Sequence, residues 1–222
     1  VEMLTASFDS YRPYSWSIAR LRDWMTTAER TSALETRLAD LRERFPWEED
    51  LWTDAARHSS TARTWPTAIE HNPTRAWAWI GAADAKASAR AYDRAYSLLD
   101  SAWTQGAAGA FSPSDQQALR LAYGRLVAQQ VEAGGGTAQR VTAALDTLAS
   151  YAERGGREEE YYESRGRLLE AQQRTAEAAQ TYLEAIAQHP DEETDTFFRP
   201  LFENSALMAE VGSGQVFHRL HE

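Results

Sequence analysis

Residues 159–192 read EEYYESRGRLLEAQQRTAEAAQTYLEAIAQHPDE, and the reading of this stretch decides the fold. Tyr162 and Leu169 stand seven positions apart with Gly166 between them; Ala178, Tyr182 and Ala185 follow at intervals of four and three, and Pro190 closes the run. Intervals of three, four and seven return side chains to one face of a 3.6-residue helix, so two helices are predicted, from about Arg157 to Gln172 and from about Thr175 to Gln188. Small residues at Gly166 and Ala178 let the two helices approach closely, while Tyr162, Leu169 and Tyr182 fill the wedge beside them.

The same grammar extends towards the N-terminus. Ile18, Leu21, Met25 and Ala28, then Leu34, Leu38, Leu41 and Phe45, mark apolar faces at helical spacing. Ser32 with Glu35 has capping-box spacing, Pro46 ends that helix, and Glu48, Glu49 and Asp50 suit the positive end of the next. Pro73-Thr74 precedes a helix carrying Trp77 and Trp79, and Ser88 and Gly106 bracket another. Ser112-Pro113-Ser114-Asp115 sets a cap, a first-turn proline and an acid ahead of a long helix that Gly134-Gly135-Gly136 terminates. Thr137 caps a helix that Gly155-Gly156 closes. About ten or eleven helices result, with no alternating run bounded by hairpin turns, so the class is all-α. Residues 1–14 read as an extended arm and residues 213–222 as a loose tail after Gly212.

Composition narrows the functions. The chain has 222 residues, read as a single helical-repeat domain, and no cysteine, which removes disulfides, thiolate metal sites and cysteine nucleophiles. Its 33 acidic against 23 basic residues give a net charge of −10, which argues against nucleic acid and anionic lipid as partners. No run approaches the ~18 apolar residues of a membrane span, so no membrane insertion is expected. Lys86 is the only lysine, a bias read as genomic, and Ala85 before it excludes a Gly-Lys phosphate loop. The opening Val1-Glu2-Met3 shows no secretory signal, so the cytoplasm is slightly favoured, with export open if the N-terminus was trimmed.

The order Tyr162, Gly166, Leu169, Ala178, Tyr182, Ala185 and Pro190 resembles the tetratricopeptide repeat over residues 159–192. Residues 76–109 resemble it too, through Trp79, Ala83, Ala95, Leu99 and Ala102, although Lys86 stands where a large apolar residue belongs. Trp52 and Ala56 begin like a unit, and Trp65, Ala68, Ile69 and Pro73 end like one, over a shortened interval that Pro66 interrupts; residues 113–154 form one oversized pair. The resemblance implies antiparallel helix pairs stacked in a right-handed superhelix. It also implies a concave face, built from the first helix of each pair, that holds a partner peptide or helix. Mapped onto this chain, that face is Trp77, Ile80 and Asp84 in the earlier match and Glu160, Glu163, Arg167 and Glu170 in the later one. The face is acidic, so a basic or aliphatic partner suits it, and the lysine- and asparagine-rich clamp for carboxy-terminal carboxylates is not present.

Catalytic, metal and cofactor chemistry find little support. None of His58, His71, His189, His218 and His221 sits in a His-Glu-x-x-His or Glu-x-x-His motif, and His218 with His221 has no third ligand at helical spacing before it. Gly212-Ser213-Gly214 is not a nucleophile elbow, and the acids Glu158 to Glu160 and Asp191 to Glu193 sit where helix starts and loops solvate charge. The expectation is a non-catalytic protein-interaction or scaffold module without cofactor or metal. Eight tryptophans crowd the first half, and wedge packing explains them, except that Trp77, two residues before Trp79, points away from the packing side. An alternative of another class is the helical substrate-binding or lid portion of a larger enzyme, with an aromatic cleft at Trp47, Trp52 and Trp65. A third is the sensor half of a transcription regulator, although no basic recognition helix is present.

Overall fold

The computed structural model describes residues 23, 31–58, 61–107, 109–189 and 195–212, which form helices and no strand. The expected arm and tail, Trp16, Trp24, Pro190, Asp191 to Glu193, His218 and His221, and the side chains of Ser32, Glu35 and His58, lie outside the described residues. Eleven helices are named here: α1 Thr31–Arg44, α2 Glu49–His58, α3 Thr61–His71, α4 Ala76–Ser88, α5 Tyr92–Ala107, α6 Pro113–Glu132, α7 Ala138–Glu153, α8 Glu159–Ala171, α9 Thr175–Gln188, α10 Asp195–Glu203 and α11 Ser205–Val211. All-α is therefore correct. Two boundaries differ from expectation, since Ser88 ends α4 rather than opening α5, and α3 runs through Pro66 at its middle.

Successive helices pack as pairs, α4 on α5, α6 on α7 and α8 on α9, and α6 also lies between α4 and α8. The residues that carry the repeat pattern form the core: Trp79, Ala83, Ala95, Leu99 and Ala102, and Tyr162, Leu169, Ala178, Tyr182 and Ala185, are all buried. Small residues are required by distance. A Cβ on Gly166 would lie 2.4 Å from the Tyr182 ring, and one on Gly124 would lie 2.5 Å from Leu148. Each glycine thus admits one large side chain from the partner helix, whose burial contributes about 1.5–3 kcal/mol. The long pair α6–α7 has the same close approach as α8–α9. Gly166 and Ala178 are 12 positions apart, whereas Gly124 and Ala144 are 20 apart, which hides the equivalence in the sequence.

Caps and turns fix the ends. Ser112 Oγ accepts from the Asp115 N–H at 3.1 Å and Thr137 Oγ1 from the Arg140 N–H at 3.2 Å, both at expected positions. After α4 and α8 the chain reverses through left-handed residues, Arg90 at φ 55° and Gln173 at φ 59°. The next amides then donate back to Lys86 and Leu169 carbonyls at 2.9 and 3.0 Å, the Schellman closure. Two indoles stitch loops to helices: Trp52 Nε1 donates to the Pro46 carbonyl at 2.8 Å and Trp79 Nε1 to the Pro73 carbonyl at 3.0 Å. Buried Asn72 adds a second donor to the Pro46 carbonyl at 2.7 Å.

Candidate partner-binding groove

Helix α4 separates its aromatic residues by side. Trp79 is buried with Ala83 and Ala87, while Trp77, Ile80 and Asp84, spaced three and four apart, line an open recess of about 1080 Å³. Thr53 of α2, Trp65 of α3 and Ala118 and Arg125 of α6 complete its walls. Trp65 stacks against Gly81, where a Cβ would come within 2.2 Å of the ring, so the missing side chain lets an indole form one wall. The large apolar lining is Trp65, Trp77 and Ile80, and the charged lining is Asp84 and Arg125 together with Glu49, Arg75 and Asp115.

Arg125 was not anticipated, and it joins the two predicted halves of the site. Its Nη2 donates to both Asp84 oxygens at 2.7 and 2.6 Å, and its Nη1 to Glu160 at 2.6 Å. Burial raises the Asp84 pKa, Arg125 pulls it down and Glu160 pushes it up again, leaving it above the ordinary carboxylate value. Burial likewise disfavours the Arg125 charge, but the two carboxylates more than offset it, so its pKa is raised. A signal existed in the sequence. Asp84, Arg125 and Arg167 each directly follow the small residue of their helix, Ala83, Gly124 and Gly166. One register therefore supplies a charged residue to the same side of three successive first helices.

A second recess, of about 1070 Å³, is formed by α6, α8, α9 and α10, and Glu163, Arg167 and Glu170 line it. Arg167 donates to Glu163 at 2.6 Å and pairs with Glu132 at 2.5 Å, so one guanidinium serves two carboxylates. Glu170 is held differently: the Tyr182 hydroxyl donates to Oε1 at 2.7 Å and the Asn204 amide to Oε2 at 3.0 Å. Burial, and then the bond to Glu170, raise the Tyr182 pKa, which keeps the phenol a donor at neutral pH. Both donors to Glu170 are uncharged.

Six of the seven expected residues thus line one of two recesses, and the seventh, Glu160, is bound to Arg125 between them. The acids are more internally engaged than a solvated helix face would be. The aromatic cleft is different: Trp52 is buried with its indole N–H committed to Pro46, Trp47 is 52% exposed beside Phe45, and only Trp65 lines either recess. His71 sits on Trp52 and His189 on Tyr162, both at helix ends. Among the described residues no group of three histidines, cysteines or carboxylates is placed to hold a metal ion, and no helix is long and apolar enough to cross a membrane. No family model matches the chain, and no curated protein matches it.

Proposed function

We propose that the chain is a non-catalytic interaction module of tetratricopeptide-like build, a single domain whose helix pairs stack as a right-handed superhelix and hold a protein segment against α4, α6 and α8. The observation that carries this reading is the shared register of Asp84, Arg125 and Arg167, which puts matching positions of three stacked helices beside the two recesses. Stacked pairs bury their large residues between neighbours and leave the first helices' outer positions for a ligand. A photoreactive benzoylphenylalanine in place of Trp77 should cross-link a partner from the source lysate, and the same group in place of the exposed Ala149 on α7 should not. Equal capture from both positions, or capture from Ala149 alone, would refute the reading.

A further inference from the structure

The two recesses differ in chemistry. The one at α4 presents two indoles and an isoleucine, Trp65, Trp77 and Ile80. The one at α8 has no indole wall and instead gathers Glu132, Glu163, Glu170 and Glu203 around Arg167 and Arg199. Across the joined face the carboxylates, Glu163 and Glu170 among them, outnumber the guanidiniums, which are Arg75, Arg125, Arg167 and Arg199. Arg125 and Arg167, the two at the centre of the face, are each already bound by two carboxylates, so neither is available to an anionic ligand without breaking two ion pairs. Glu170 is oriented instead by two neutral donors, the Tyr182 hydroxyl and the Asn204 amide.

From this division we infer that the bound segment is bipartite: an apolar or aromatic anchor sits at Trp77 and Ile80, and an arginine or lysine sits at Glu163 and Glu170. This rests on the interaction-module reading and adds the chemistry and spacing of the partner. Helices α4 and α8 lie on either side of α6, about two interaxial steps or roughly 18 Å apart. An extended peptide rises about 3.3 Å per residue, so the anchor and the cation stand about five or six residues apart.

A displayed library of random 12-residue peptides, selected on the full chain, tests this directly. The enriched sequences should pair a large apolar residue with Arg or Lys at about five or six positions. Synthetic versions, measured by fluorescence anisotropy, should bind the E163Q/E170Q double variant about five- to tenfold more weakly at low salt, with the difference shrinking as salt rises. Trp77→Ser should weaken every selected peptide, and Ile80→Ser replaces it if circular dichroism shows that variant unfolded. Peptides that are lost on Trp77→Ser but are acidic, carry no cation, or bind the double variant unchanged would overturn the bipartite inference and leave the module reading standing. A selection that enriches no peptide would overturn both.

Discussion

Replacing Arg125 with methionine keeps the length and apolar stem of the side chain and removes the charge that holds Asp84 and Glu160 together. Breaking a fully buried ion pair by removing one partner leads to losses of about 3–5 kcal/mol, whereas exposed pairs contribute about 0.2–1 kcal/mol. The three side chains retain 26%, 43% and 35% of their exposure, between those limits, so a loss of about 2 kcal/mol is expected at pH 7. The pH dependence separates this cause from a packing defect. Asp84 already has a raised pKa in the folded chain, and without the guanidinium nothing opposes burial and Glu160, so it rises further. A carboxyl group whose folded pKa exceeds its unfolded one binds more protons when folded, so stability falls as pH climbs through that window and is regained on acidification. The deficit of Arg125→Met against wild type, from urea melts followed by circular dichroism, should therefore shrink between pH 7 and about pH 4. A deficit that is constant or grows towards acid would refute the electrostatic account of the triad.

Gly124→Ala should destabilise by about 1–2 kcal/mol in the same melts, because the new methyl meets the fully buried Leu148 at 2.5 Å and overpacking outweighs the gain in helix propensity; a stability gain would show that α6 and α7 are not in close contact there. Ala178→Trp should lower stability by about 1–3 kcal/mol or more, Ala178 being 0% exposed, and a variant matching wild type would show that the α8–α9 pairing is wrong. Gln173→Gly should raise stability by about 0.5–1 kcal/mol, since relief of the left-handed strain at φ 59° exceeds the extra unfolded-state entropy of glycine. A lowered melting midpoint would oppose that.

The helices and their close approaches were legible because each depends on residues at most a few turns apart. Tyr162, Gly166 and Leu169 on one helix, and Ala178, Tyr182 and Ala185 on the next, state both the buried faces and the size constraint between them. Trp77 was separable from Trp79 for the same reason, since two positions along a helix turn a side chain away from its neighbour's direction. Arg125 was not legible: its partners Asp84 and Glu160 lie 41 and 35 positions away, and the longer helices between Gly124 and Ala144 conceal the register that would have aligned it. The acidity of Glu160, Glu163 and Glu170 could be read along α8, but their engagement with Arg125, Arg167, Tyr182 and Asn204 depends on side chains from other helices or on rotamers. Of Trp47, Trp52 and Trp65 only Trp65 lines a recess, and the loop bond that holds the Trp52 indole to the Pro46 carbonyl is not revealed by composition.

Helix α4 begins without a cap of its own, since Arg75 offers no side-chain acceptor; its first amide, Ala76 N–H, donates instead to Asp115 Oδ1 of α6 at 2.9 Å. That acceptor follows 39 residues later in the chain. At a synthesis rate of about 5–20 residues per second, the first residue of the helix that carries Trp77 is made about 2–8 seconds before the carboxylate that completes its start. The helix that supplies the apolar wall of the recess is therefore capped from downstream rather than from within.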